Sequence, residues 1–304
     1  MRKPDFDPDG LRRFLEEVLG GSFAGIKLIT ACSRPENFVV WRSDGEKFSV
    51  KCVPPPQPGR LDLFPGLVAH LKELARTDAV QMASDVLDFE GRRVLVTRWC
   101  EGKRLMPHQL DRQSCASFIR QYGEFSQAMQ RCSGVLPPRD NLKVIDSLSG
   151  RLQGLCCSRL RRFLERETQR SDFVYDPARL KVIHGDLHHG NFHFNDGAIT
   201  GFMDLEDFRL GYPADDLARY VICGAEHQLW FDLAATRRTL SFFRELLPLY
   251  PRDEWREAVL GLLVRKFDRR LGRKGLKPIV AANLTFRLGL YRRMLAMVDC
   301  YSKQ

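Results

Sequence analysis

The apolar pattern of this 304-residue chain changes period near Gly102. Before that point, short runs rich in Val, Ile and Phe occur at 26–29, 38–42, 48–53, 86–89 and 93–99, bounded by turn residues, which is the mark of strands. After it, apolar residues recur at helical spacing over about 107–132, 146–168, 214–248, 253–271 and 279–301, interrupted only at 180–203. One layer cannot accommodate both periods, so the chain is expected to fold as two lobes of α+β class. The expected division is 1–101, an antiparallel sheet with a helix, and 102–304, a larger and mainly helical lobe.

Punctuation supports this division. Leu11, Phe14, Leu15, Val18 and Leu19 lie on one helical face that ends at Gly20-Gly21. Ser43-Asp44-Gly45-Glu46 and Glu90-Gly91 read as hairpin turns, as does Asn195-Asp196-Gly197 later in the chain. Pro54-Pro55-Pro56 stops the third strand, because proline offers no N–H to a ladder. A further helix is expected over 63–75.

With 44% hydrophobic and 28% charged residues the composition is that of an ordinary globular protein. No apolar run approaches the ~20 residues that span a bilayer, and residues 1–10 carry three Asp and no apolar leader core, so a cytoplasmic location is expected. The nine Cys include no C-x-x-C pair and are expected to be thiols. The net charge of +10 is uneven: residues 1–100 hold 15 Lys and Arg against 14 Asp and Glu, the remainder 33 against 24. The densest stretch, 265–277, has seven cations and one Asp. It reads first as a solvated helix face. Membrane-surface contact through it is not favoured, and nucleic-acid binding is disfavoured because Phe267 is its only aromatic.

The interruption at 180–203 carries the chemistry. It contains VIHGDLHHGNFHF at 182–194 and ITGFMD at 199–204. Four histidines, His184, His188, His189 and His193, raise the question of zinc, but no Cys and no H-E-x-x-H accompanies them. Asp186, Asn191 and Asp204 are hard oxygen donors at loop and strand ends, a set suited to Mg²⁺ carried with phosphate oxygens. Phosphoryl transfer needs one carboxylate to orient and deprotonate a hydroxyl, and an amide and a second carboxylate to hold the metal.

The ordered blocks HGDLHHGN, FMDLED and DDLA resemble the signature of the aminoglycoside phosphotransferase/choline kinase superfamily, whose fold is similar to that of protein kinases. The resemblance implies a two-lobed kinase-like fold and an ATP- and Mg²⁺-dependent small-molecule kinase. Asp186 then matches the catalytic base, Asn191 and Asp204 the magnesium ligands, and His184 the structural histidine before the catalytic loop. Asp216 matches the buried aspartate that braces that loop; the plain alternative is a helix N-terminal charge. Lys51 matches the phosphate-binding strand lysine, and backbone groups near Thr97 and Trp99 would pair with adenine.

Two departures stand out. The stretch ACSRPEN at 31–37, where a phosphate-covering loop is expected, has no glycine, and Leu67 occupies the place of the acid that usually pairs with the strand lysine. Asp62 and Glu73 are the nearest acids. These departures favour an alternative, a catalytically silent kinase-fold protein that binds nucleotide or a partner; the intact Asp186, Asn191 and Asp204 set opposes it.

Only eleven residues separate Asp204 from Asp216, no A-P-E element follows, and Gly185 stands where a protein kinase carries arginine, so a small-molecule acceptor is expected rather than a peptide. The basic second lobe suits a neutral or anionic acceptor better than a polycationic aminoglycoside. A sugar, a sugar acid, a lipopolysaccharide core unit or an amino-acid alcohol such as homoserine meets that condition; LDLFPGLVAHLKEL at 61–74 is loosely similar to the corresponding helix of homoserine kinases.

Overall fold

The computed structural model describes residues 7–30, 36–53, 83–130, 162–163, 165–167, 177–204, 207–228, 232–271 and 278–301. They form two compact units, Met1–Lys103 with Phe192–Glu206, and Arg104–Asn191 with Asp207–Gln304. Where the sequence suggests one crossing near residue 101, the chain crosses three times, because the hairpin after Asn191 belongs with the first unit.

In the first unit, helix α1 (Pro8–Leu19) starts where the Asp7 side chain accepts the Asp9 and Gly10 amides at 3.0 and 3.1 Å, with Pro8 supplying a preset φ. Its Leu11 and Leu15 are fully buried. They pack with Phe38, Val40, Val50, Val94 and Val96, alternate residues of three strands. Each such side chain contributes roughly 1.5–3 kcal/mol by leaving water. The strands are β1 (Phe23–Thr30), β2 (Glu36–Arg42), β3 (Lys47–Val53), β4 (Ala83–Phe89) and β5 (Arg92–Arg98), all antiparallel in the order β1-β2-β3-β5-β4. Arg42 ties the helix end to the sheet: it donates to the Leu19 and Gly20 carbonyls and lies over the rings of Phe23 and Phe48.

In the second unit, α2 (Arg112–Gln130) packs against β6 (Lys181–Ile183), which pairs with β9 (Arg209–Gly211), and α3 (Pro213–Gln228) packs on α4 (Leu233–Leu246) and α5 (Arg252–Leu271). The last helix, α6 (Pro278–Tyr301), packs on α5. Between them, β7 (Phe192–Asn195) and β8 (Ala198–Phe202) form the hairpin of the first unit, turned at Asp196-Gly197, both with positive φ. Phe118, Tyr122, Tyr220 and Phe242 make an aromatic cluster joining α2, α3 and α4.

Three sequence expectations need correction or fall aside. The helix expected over 214–248 is two helices, because Asp232 caps a new N-terminus by accepting the Ala235 amide at 2.8 Å. The helix expected from 107 starts at Arg112, after a single 3₁₀ turn at Pro107–Gln109, where the Asp111 carboxylate takes the Ser114 amide at 2.7 Å. The expected helix over 63–75, with Asp62, Leu67 and Glu73, and most of 31–37 lie outside the described residues.

Candidate active site

The loop that follows β6 is fixed from below by one carboxylate. Asp216, in the first turn of α3 and fully buried, accepts the His184 amide on Oδ2 and the Gly185 amide on Oδ1, each at 2.8 Å. The Tyr122 hydroxyl, 3.2 Å away, donates to the same carboxylate, and it lies 3.0 Å from the Pro213 carbonyl. Burial pushes the Asp216 carboxyl above the ordinary carboxylate value, against the charges of His184 and Arg209 and the two amide bonds, which hold it down.

Gly185 is required at its position. Its φ is +80°, and a Cβ there would stand 2.0 Å from the Asp207 carbonyl oxygen and 2.3 Å from Arg209 Nη1. That same Nη1 donates to the Gly185 carbonyl at 2.5 Å. The loop is therefore held by both its amides and its carbonyl before it reaches Asp186.

Asp186 is partly buried, with 21% of its side chain exposed. Its Oδ1 is ion-paired with Arg219 of α3, without a directed hydrogen bond, and its Oδ2 lies 3.8 Å from His188 Nε2. Asn191, almost fully buried, donates from Nδ2 to the Asp186 carbonyl at 2.9 Å, while its amide N–H donates to the His188 carbonyl. Because Nδ2 is committed to the loop, the amide presents Oδ1 as its remaining group, an oxygen of the kind a hard cation takes.

The first unit brings together another pair. Lys51, centred on β3, forms an ion pair with Asp204, which follows β8. Asp204 sits at φ +64°, a left-handed conformation uncommon for a residue with a side chain and a known companion of functional sites. Thr97 on β5 faces Ser49, whose carbonyl lies 3.5 Å from the Thr97 hydroxyl, and the Trp99 N–H donates to the Lys47 carbonyl at 3.0 Å. That N–H is engaged by the sheet. The Cys100 and Glu101 carbonyls are likewise taken, by His193 Nδ1 and the Thr200 hydroxyl, each at 2.7 Å.

The histidines have structural work. His184 is fully buried, with Nδ1 3.4 Å from the Asp186 amide; His188 accepts the Gly190 amide; His193 meets Cys100. Among the described residues no three His, Cys, Asp or Glu side chains converge on a cation position.

The family model that matches residues 26–257 is described as the phosphotransferase enzyme family. The chain belongs to that family. No curated protein sequence matches. Solved structures do, across nearly the full length: an aminoglycoside phosphotransferase from Alicyclobacillus acidocaldarius at 15% identity and TM-score 0.65, covering 100% of this chain and 98% of that one. The amicoumacin kinase hAmiN, solved with AMP-PNP and Ca²⁺, matches at 16% identity and TM-score 0.58, covering 95% and 94%. Spectinomycin phosphotransferase APH(9)-Ia, solved with ADP and spectinomycin, matches at 11% identity and TM-score 0.57, covering 99% and 100%. The fold is thus kinase-like and α+β, as the phosphotransferase family membership and these structural likenesses show.

Three residues that touch this site were not found by sequence reasoning: Tyr122, Arg209 and Arg219. Only Arg219 left a signal, since it lies three residues after Asp216 on one helix and so shares its face.

Proposed function

We propose that this phosphotransferase is an ATP- and Mg²⁺-dependent kinase acting on a hydroxyl of a small neutral or anionic molecule. In the proposed reaction the acceptor hydroxyl oxygen bonds to the γ-phosphorus of ATP while the bond from that phosphorus to the ADP oxygen breaks. Asp186 orients the hydroxyl and takes its proton. Lys51 holds ATP phosphate oxygens, backbone near Thr97 and Trp99 lies at the adenine, and Asn191 and Asp204 each contribute an oxygen to magnesium. When bound, magnesium supplies neutralisation of phosphate charge. His184 and Asp216 keep the loop in place.

The observation that carries this reading is the Asp216 carboxylate gripping both the His184 and Gly185 amides, which fixes Asp186 and Asn191 on one short loop with their side chains already oriented. Such fixed geometry is what phosphoryl transfer demands, because catalysis there is mostly positioning and charge stabilisation. The absence of space for a side chain at Gly185 supports a small acceptor, since no arginine can stand there to anchor an activation segment. No helix among the described residues is long and apolar enough to cross a membrane. Cys52, Cys100, Cys115, Cys223 and Cys300 are thiols, which suits the reducing compartment where ATP is abundant.

The testing experiment is ADP release by purified protein with ATP and Mg²⁺ over sugars, sugar acids, homoserine, choline and aminoglycosides. Acceptor-dependent release by a neutral or anionic member supports the proposal, and release only with the cationic members overturns the acceptor class. Tight nucleotide binding with no release from any acceptor would favour the silent-kinase alternative.

A further inference from the structure

His188 stands beside the candidate base on the same loop of the second unit, and the loop backbone sets the orientation of its ring. Its Nδ1 accepts the Gly190 amide at 2.9 Å. A ring nitrogen that accepts a hydrogen bond carries no proton, so in the neutral imidazole the proton is on Nε2. Glycine at 190 leaves space for this arrangement: a Cβ there would stand 2.7 Å from His188 Cε1 and 2.9 Å from Nδ1, closer than side-chain atoms pack. Nε2 then faces Asp186 Oδ2 across 3.8 Å.

We propose that His188 Nε2–H and Asp186 Oδ2 together seat the acceptor hydroxyl, so that His188 binds the acceptor as well as bracing the loop. The inference rests on the phosphotransferase reading and adds to it the atoms that hold the nucleophile. Asp186 Oδ1 has no exposed surface and is ion-paired with Arg219, which leaves Oδ2 as the oxygen that an incoming hydroxyl meets. The 3.8 Å gap is too long for a direct hydrogen bond between the two side chains and short enough for one oxygen to lie within hydrogen-bond distance of both. Both groups reach the surface, with 30% of the His188 side chain and 21% of the Asp186 side chain exposed.

A hydroxyl oxygen has one hydrogen and two lone pairs. In this seat the hydrogen points to Oδ2 and one lone pair accepts from Nε2–H, so the second lone pair is the one left to attack. As it forms the bond to the γ-phosphorus, the bond from phosphorus to the ADP oxygen breaks and the hydroxyl proton passes to Oδ2. His188 keeps its own proton throughout and contributes orientation. An amine nitrogen has a single lone pair, which the Nε2–H contact would occupy, so the seat selects oxygen over nitrogen as the acceptor atom.

The test compares two substitutions in the full-length protein. His188→Asn keeps an oxygen near the place of Nδ1, where it accepts the amide two residues on as asparagine does in turns, and removes the donor at Nε2. His188→Gln carries an N–H about as far along the side chain as Nε2 and gives up the short contact to Gly190. ADP release with ATP and Mg²⁺ is measured on wild type with glucose, gluconate, homoserine, choline and kanamycin, and the fastest of these acceptors is carried to both variants; AMP-PNP binding is followed by calorimetry. His188→Asn is expected to lower kcat/KM for that acceptor about tenfold or more, with the KM for ATP and the AMP-PNP affinity near wild type, and His188→Gln to recover most of the loss. A residue that only braces the loop predicts the opposite order. Wild-type kcat/KM in the Asn variant, or a Gln variant no better than Asn, therefore overturns the proposal. The phosphotransferase reading fails separately, through wild-type protein that releases no ADP with any of these acceptors.

Discussion

Replacing Asp216 separates positioning from chemistry, because the structure assigns it two buried amide donors and no place at the reacting atoms. Asp216→Asn keeps one acceptor oxygen and turns an NH₂ toward the other amide, leaving one buried N–H without a partner; Asp216→Ala leaves both without one. Each orphaned buried donor costs about 1–3 kcal/mol, so the Asn variant is expected to lose that amount and the Ala variant about twice as much. The Ala variant also releases the Tyr122 hydroxyl, which still has the Pro213 carbonyl at 3.0 Å and adds little. Urea unfolding measures these differences, and ADP release under saturating ATP measures the effect on turnover. If the carboxylate positions the 184–191 loop, kcat falls by about tenfold or more in the Asn variant while the KM for ATP changes little. Equal stability losses in the two variants, or unchanged kcat in a folded Asn variant, would refute the reasoning.

Further predictions follow from the same contacts. Because burial raises the Asp216 carboxyl in the folded state, this site binds its proton more readily folded than unfolded. Its contribution to stability is fully present below the unfolded value near 3.8 and is lost as pH rises through the folded value. The stability gap between wild type and Asp216→Asn is therefore expected to widen as pH falls from neutral, by urea unfolding across the series; a flat gap contradicts the burial argument. Gly185→Ala meets backbone at 2.0 Å and a left-handed φ, and is expected to destabilise by about 1–3 kcal/mol with loss of activity; a near-neutral melting temperature refutes the steric account. Lys51→Ala removes the partner of Asp204 and is expected to raise the KM for ATP about tenfold or more, while unchanged ATP dependence removes Lys51 from the nucleotide site.

Local chemistry was legible in the sequence where it rests on neighbouring residues. The hairpin at Asp44-Gly45 and the α1 helix are set by residues within a turn of each other, and their bounds in the structure differ from the sequence reading by three residues at most. The break before Leu233 was written in Asp232 as an N-cap, but helical apolar spacing continues across it and masked the stop. Strand β9 is three residues long, with a buried arginine and a glycine, and no periodicity can be read over that length. For the proposed site, resemblance supplied Asp186, Asn191, Asp204 and Asp216 as candidates, yet not the contacts around them. Tyr122 reaches Asp216 over 94 residues and Arg209 reaches Gly185 over 24, contacts that only the fold creates.

The most direct test of the account is the pair of titrations and assays on Asp186→Ala. The variant loses the partner of Arg219 but none of the groups proposed to hold ATP, so it is expected to bind AMP-PNP with Mg²⁺ as wild type does while acceptor-stimulated ADP release disappears. Release that continues at the wild-type rate in this variant would contradict the assignment of Asp186 as the base, and with it the reading of the 184–191 loop as the catalytic centre.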